Sequence, residues 1–154
     1  MRTMLLSFKP EVFESICSGE KIYEHRRVFP NEPIEAYIYI SRPVQAIGGI
    51  IRLGNKINIA EWKQTYSYDP EAIKRIDTYL EHYSVAMEIQ MFQNTTQIPL
   101  SEVKKTFPKF LIPQMYYYLD GSPLLTYLQE NLKPVEKNLI HKFDKIDSNM
   151  ICIH

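Results

Sequence analysis

The residues best suited to chemistry in this chain are a lysine, a glutamate and an arginine placed close together, Lys21, Glu24 and Arg26. They lie in the stretch Gly19–Arg27, directly after an apolar helical pattern that Gly19 should end. Residues two apart in a strand share a face, so Glu24 and Arg26 should point the same way, with Lys21 aimed towards them from the turn. Such a trio could bind a phosphate through its cations and a base edge or ribose hydroxyls through its carboxylate. An internal ion-pair network that fixes the mouth of the fold is the alternative interpretation.

The residues between these three are expected to have other roles. Tyr23, His25 and Arg27 should point to the opposite face of the strand, so we expect His25 and Arg27 to be supporting or solvent-exposed. No histidine or cysteine has a partner at the spacing of a metal site, because both types are scattered through the sequence. The remaining ones are His82, His141, His154, Cys17 and Cys152. We therefore expect no metal, no cofactor, and two free thiols in a reducing compartment.

Two positions outside this stretch could add to a ligand site. Arg42 follows the end of a predicted strand, from which its side chain could reach a cleft. In the run Tyr116–Tyr118 the two outer rings should face together, so Tyr117 is the ring that we expect to be exposed and able to stack on a base. Packing in the core or under a lid is the more common role of such a run beside a proline.

The composition is typical of a folded, soluble domain. The chain has 154 residues, of which 45% are hydrophobic and 23% charged, and these values favour one domain with a substantial core. Lys and Arg together number 18, as do Asp and Glu, and this balance argues against tight, sequence-independent binding to long duplexes. No stretch approaches the apolar length of a membrane span, and the short apolar run at the start does not fit a signal peptide. We therefore predict a cytoplasmic protein.

The hydrophobic pattern predicts an α+β domain, built as a small closed or half-open barrel. Predicted strands are Met4–Phe8, Lys21–Arg27, Ala36–Ser41, Ala46–Leu53 and Val85–Phe92, the last with one solvated face. Predicted helices run from Pro10 to the cap at Gly19, over Asn58–Tyr66, from Pro70 to about His82, after a cap at Ser101, and over Pro123–Leu132. Gly48 and Gly49 predict a β-bulge, because no phosphate-loop pattern surrounds them. The last twenty residues contain few core formers, so we expect a loosely held tail.

Four segments in this order resemble the ASCH domain of the PUA-like superfamily. The stretch from Gly19 fits the G-x-K-x-x-E-x-R signature of that family. The other segments are Phe8-Lys9-Pro10, Tyr37–Ser41 with Gly48, and Pro113-Gln114 followed by aromatics, so the resemblance covers about residues 4–120. It implies a PUA-like β-barrel of mostly antiparallel strands with flanking helices in residues 1–120. Residues 121–154 lie beyond the resemblance, and we expect them to form a C-terminal helix and a tail that is packed on the same domain or trails from it. The resemblance also implies a cleft lined by the charged strand, with Ser41 and Gln114 as further ligand-binding candidates.

What is known of this superfamily implies a first hypothesis, a module that binds RNA, a nucleotide or a modified nucleoside through Lys21, Glu24 and Arg26. One branch of small bacterial ASCH proteins hydrolyses N4-acetylcytidine to cytidine and acetate, which makes an amidohydrolase the alternative. Lys21 matches the catalytic lysine of that branch by motif position, with Glu24 as a second catalytic candidate. That branch, however, carries threonine at the position of Glu24, and its members are shorter than this chain. A domain that acts through protein partners is the third hypothesis.

Overall fold

The computed structural model describes all 154 residues and contains eight β-strands, five α-helices and two short 3₁₀ helices. The strands are β1 (Arg2–Phe8), β2 (Tyr23–Arg26), β3 (Ile34–Ile40), β4 (Ala46–Asn58), β5 (Val85–Gln93), β6 (Ile98–Pro99), β7 (Tyr116–Tyr118) and β8 (Leu139–Ile140). The α-helices are α1 (Pro10–Ser18), α2 (Trp62–Thr65), α3 (Pro70–Leu80), α4 (Leu100–Thr106) and α5 (Pro123–Asn131), and the 3₁₀ helices are Ile59–Glu61 and Ser148–Met150. None of the helices combines the length and the apolar character that a membrane crossing requires.

All eight strands belong to one sheet, which curls into a half-barrel. Its main path runs β2-β5-β4-β3-β1-β7, with β6 paired to β4 and β8 paired to β5. β1 and β3 are parallel, and every other pair is antiparallel. The prediction of an α+β half-open barrel of mostly antiparallel strands is therefore confirmed.

Turn and cap residues fix the ends of the helices around this sheet. Pro10 begins α1, and Gly19, with a left-handed φ of +83°, follows its last residue. The Asp69 side chain accepts backbone hydrogen bonds at the start of α3, and Ser122 does the same for α5. The prediction that Ser101 caps α4 was wrong. The helix already begins at Leu100, directly after the extended backbone of β6, so Ser101 lies inside it.

β5 is buried on both faces, so the prediction of one solvated face was wrong. Residues 85–89 are all buried, including Glu88 at 8% exposure. The strand lies between β2 and β4, where Met87 and Ile89 join the cluster under α1 while Ala86 joins the cluster around α3. The polar residues of the alternation are Glu88 and Gln90, and the local pattern carries no information about the distant segments that bury Glu88.

The helix after residue 120 shares its core with the sheet. Leu124 and Leu128 of α5 are buried in the same apolar cluster as Leu5 of β1 and Tyr39 of β3. The C-terminal extension is thus packed directly on two of the central strands.

The final segment of the chain is held firmly, contrary to the prediction of a loose tail. Ile151 is 0% exposed and Cys152 is 4% exposed, both in the cluster that contains Trp62. The Tyr66 hydroxyl donates a hydrogen bond to the Ile146 carbonyl at 3.1 Å. These few apolar anchors are separated by polar residues, and for that reason they form no recognisable period in the sequence.

The predicted β-bulge at Gly48 and Gly49 is confirmed. Both residues lie opposite Ile38 alone, because the register of β3 against β4 shifts between Tyr37 and Tyr39. Gly49 has a left-handed φ of +88°, and its N–H donates to the buried Thr95 hydroxyl at 2.8 Å. Glycine at this position therefore permits both the left-handed backbone conformation and the close approach of neighbouring segments of the same chain.

Replacing Gly49 by alanine is expected to destabilise the protein by about 2 kcal/mol, from left-handed strain and crowding together. A Cβ atom at this position would lie 3.1 Å from the rings of Phe13 and Phe92. Gly121→Ala is the matched control, because Gly121 has a φ of +69° but no atom within 4 Å of its Cβ position. Urea unfolding of the two variants should show the larger loss for Gly49→Ala, and equal losses would contradict a role for crowding.

Candidate functional site

The loop after α1 brings Lys21 to the beginning of β2. Gly19 turns the chain, and the backbone N–H of Lys21 donates to the carbonyl of Ser15 in α1 at 3.0 Å. The strand itself covers Tyr23–Arg26 and is shorter than the predicted Lys21–Arg27. Lys21 therefore precedes the strand, and the alternation of strand faces does not fix the direction of its side chain.

Glu24 joins the two cations of the predicted site. Its Oε2 accepts a hydrogen bond from Nε of Arg26 at 2.8 Å and lies 2.8 Å from Nη2 of the same guanidinium. Its Oε1 lies 3.5 Å from Nζ of Lys21. The guanidinium of Arg26 also lies over the Phe8 ring, 5.9 Å from its centre. The structure thus brings together the three charged residues that the sequence singled out.

All three N–H donors of the Lys21 ammonium have an acceptor within reach. Besides Glu24, Nζ contacts the Ile153 carbonyl at 2.9 Å and Nδ1 of His25 at 3.4 Å. The side chain is only 2% exposed. Burial lowers the pKa of Lys21 from its ordinary value, while the carboxylate of Glu24 acts in the opposite direction.

His25 is part of this cluster, which corrects the prediction that its side chain would be directed away from Lys21 and could be solvent-exposed, while the contact with Lys21 agrees with the alternative prediction of a supporting role. It is 5% exposed, and its ring packs edge-on against Tyr79 at 4.8 Å between centres. A charged ammonium can only donate, so Nδ1 accepts from Lys21 and the ring proton lies on Nε2, a buried atom without a hydrogen-bond partner. The correction arises because Lys21 lies outside the strand and can contact side chains from either face. Arg27 is exposed, as predicted.

The burial of His25 predicts a loss of stability in mild acid. Desolvation, aided by Lys21 and His154, lowers its pKa to about 2, compared with an ordinary value of 6.5. Between these values the unfolded chain binds one proton more than the folded chain, so stability should fall as the pH drops below 6.5, by up to about 1.4 kcal/mol per pH unit. The free energy of unfolding, measured with urea from pH 7 to pH 5, should fall less steeply with pH for His25→Gln than for the exposed control His82→Gln. Equal slopes would contradict the conclusion that buried His25 causes the loss of stability.

The charged residues line a cavity of about 380 Å³. Gln114, one of the predicted ligand-binding residues, also lines it. The charged side chains of its wall are Lys9, Lys21, Arg26 and Glu24. Cations therefore exceed carboxylates by two, which favours an anionic ligand.

Three predicted ligand-binding residues lie outside this cavity. Ser41 and Arg42 occupy the turn after β3 and do not line it. Tyr117 lines a separate, mostly apolar cavity of about 770 Å³, and its hydroxyl donates to the Leu111 carbonyl at 2.8 Å. Tyr118 is the more exposed ring of the run, because Tyr117 packs towards the cluster that contains α5.

Sequence reasoning missed several residues at this site, among them Lys9, which lines the cavity. Tyr79 and Tyr83 contribute rings from the end of α3 and the turn after it, and Tyr83 lines the cavity. Ile153 supplies its carbonyl to Lys21, and His154 lines the cavity. The i, i+4 spacing of the two tyrosines could have indicated a shared face, whereas nothing in the tail indicated where it would pack. No group of three metal-ligating side chains occurs anywhere in the chain.

Comparison with solved structures identifies the fold. The ASCH protein of Zymomonas mobilis superimposes with a TM-score of 0.67 at 24% identity, covering 88% of this chain and 99% of that one. Two single-residue mutants of the Zymomonas mobilis protein give TM-scores of 0.66 and 0.63 at 22% identity. These alignments cover 86% and 84% of this chain and 100% and 96% of the mutant chains. No protein-family model matches the sequence, and no curated protein matches it.

Proposed function

We propose that this chain, which has the fold of the ASCH domain, binds a nucleoside or nucleotide, free or within an RNA strand, in the cleft of Lys21, Glu24 and Arg26. The observation that carries the proposal is the buried cluster in which Glu24 joins Lys21 and Arg26 on the wall of a cavity with excess positive charge. The cavity of about 380 Å³ is within the range of small-molecule sites, roughly 300–1,000 Å³.

Each part of the cluster suits one part of such a ligand. Arg26 is partly exposed, at 14%, and together with Lys9 it can contact a phosphate group. Glu24 Oε1 has only a long contact of 3.5 Å to Lys21, so it retains capacity to accept a second hydrogen bond. An exocyclic amino group of the kind carried by cytosine is a suitable donor for it. The site therefore favours cytosine nucleotides over uracil nucleotides, which lack that donor.

The test is equilibrium titration of the full chain with cytidine, cytidine 5′-monophosphate, uridine 5′-monophosphate and a short single-stranded RNA. We expect saturable binding of cytidine 5′-monophosphate, weaker binding of uridine 5′-monophosphate, and weaker binding at high salt because phosphate contacts are screened. Comparing the free nucleotide with the RNA shows whether neighbouring nucleotides add affinity. Absence of binding to all four would contradict the proposal.

A second candidate, hydrolysis of N4-acetylcytidine, is favoured by one observation, the pKa of Lys21, which burial lowers. A neutral lysine could act as a base or a nucleophile. Against this, three acceptors surround Nζ, one of them a carboxylate, and they stabilise the ammonium form. We therefore expect N4-acetylcytidine to be recovered unchanged after incubation with the protein. Release of acetate that disappears in Lys21→Met would instead identify an amidohydrolase.

A further inference from the structure

The last two residues of the sequence enter the proposed ligand cleft. The buried residues Ile151 and Cys152 anchor the segment in the cluster around α3. Cys152 has a left-handed φ of +55°, a conformation that non-glycine residues seldom adopt. Beyond this point Ile153 contacts Lys21, and His154 lines the cavity.

These two residues place a carbonyl group and a flat heteroaromatic ring side by side in the cleft. The Ile153 carbonyl accepts from Nζ of Lys21 at 2.9 Å. The centre of the His154 imidazole lies 5.0 Å from the ring centre of Tyr79, with an angle of 31° between the two ring planes. It lies 6.4 Å from the ring centre of Tyr83, with an interplanar angle of 71°. A pyrimidine base presents the same two features, a ring carbonyl and a flat π-face that stacks on aromatic side chains.

On the basis of the proposed function, we infer that Ile153 and His154 occupy the subsite of the nucleobase, and that the base of a bound nucleotide displaces them. The ligand's ring takes the place of the imidazole beside Tyr79 and Tyr83. Its carbonyl takes the place of the Ile153 carbonyl at Lys21. Ile153 and His154 are then an internal competitor that must leave before the ligand can bind.

The charges around His154 agree with this role. Burial and the cations Lys21 and Lys9 lower the pKa of His154, and Glu24 acts in the opposite direction. The imidazole is therefore neutral at neutral pH, like the base that it would resemble.

The pair can leave without disturbing the core. His154 is exposed and Ile153 is partly exposed, whereas the buried anchors end at Cys152. Departure breaks one hydrogen bond to Lys21 and one set of ring contacts. It also frees a buried N–H donor of Lys21, which a ligand carbonyl can then occupy, so the loss is compensated on binding.

The experiment compares the full chain with a chain that ends at Cys152, both titrated with cytidine 5′-monophosphate by calorimetry. Removing Ile153 and His154 is expected to raise the affinity for cytidine 5′-monophosphate by about 5-fold or more. A factor of about 5 is the lower end of the usual range of coupling between binding events. His154→Ala should change the affinity in the same direction, while His154→Phe, which keeps a flat ring against Tyr79, should stay near the value of the full chain. Circular dichroism of the shortened chain should be unchanged, since Ile151 and Cys152 remain.

A second measurement follows the tail itself. In proton NMR of the full chain, the neighbouring tyrosine rings should shift the imidazole signals of His154, and the ligand should move these signals to the values of a solvated histidine. Equal affinity of both chains with unmoved His154 signals would overturn the inference and leave the proposed function intact. Weaker binding by the shortened chain would also overturn it, because the tail would then be part of the site. Absence of binding to both chains would refute the proposed function, and the inference with it.

Discussion

Replacing Glu24 with alanine is expected to destabilise the protein by about 3–5 kcal/mol, the usual cost of removing one partner from a buried ion pair. Glu24 is the only carboxylate that pairs with Lys21 and Arg26, and Lys21 is almost fully buried. The variant would leave an ammonium group in the core with only neutral acceptors, His25 and the Ile153 carbonyl. Urea unfolding monitored by Trp62 fluorescence measures the change.

Two controls separate this effect from ordinary loss of a salt bridge. Glu102→Ala removes an exposed pair with Lys105, for which we expect less than about 1 kcal/mol. The double variant Lys21→Met with Glu24→Leu removes both buried charges and should recover much of the stability lost in Glu24→Ala. A loss in Glu24→Ala no larger than that in Glu102→Ala would show that the cluster contributes little to the fold.

Lys21→Met is expected to weaken the binding of cytidine 5′-monophosphate by about 10- to 150-fold, since a hydrogen bond to a charged group contributes about 1.5–3 kcal/mol. Methionine preserves most of the volume of the buried side chain and removes only the ammonium. Because Lys21 also holds Ile153, the comparison should be repeated in the chain that ends at Cys152. In the shortened chain, release of Ile153 from Lys21 cannot offset the affinity that is lost with the ligand contact.

The matched control for this prediction is Lys142→Met. Lys142 is exposed and lines a different cavity of the surface, so its removal takes away the same charge without touching the cleft. Its affinity should equal that of the unmodified protein. Equal losses in the two variants would mean that only the overall charge attracts the ligand.

Local signals in the sequence were sufficient to predict most of the fold. Gly19 and Asp69 mark helix boundaries by the same physical rules in the sequence and in the structure. The bulge at Gly49 was recognisable because glycine is needed where the backbone takes a left-handed conformation. Lys21, Glu24 and Arg26 could be grouped because they lie within one short turn and strand.

The rest of the site depends on contacts between residues that are distant in the sequence. Ile153 is 132 residues from Lys21, and no local pattern indicates that its carbonyl would lie there. Tyr79 reaches His25 because α3 packs over β2 and β5, an arrangement that follows from the assembled sheet. Tyr117 was misplaced for a similar reason, since the position of α5 decides which ring of the run is covered.

The measurement that tests the central claim most directly is NMR mapping of the full chain during titration with cytidine 5′-monophosphate. Binding in the cleft predicts saturable shifts of the backbone signals of Lys21–Arg26, together with those of Tyr83, Gln114 and His154. Shifts centred instead on the apolar cavity at Tyr117, or no saturable shifts at all, would contradict the assignment of the cleft as a nucleotide site.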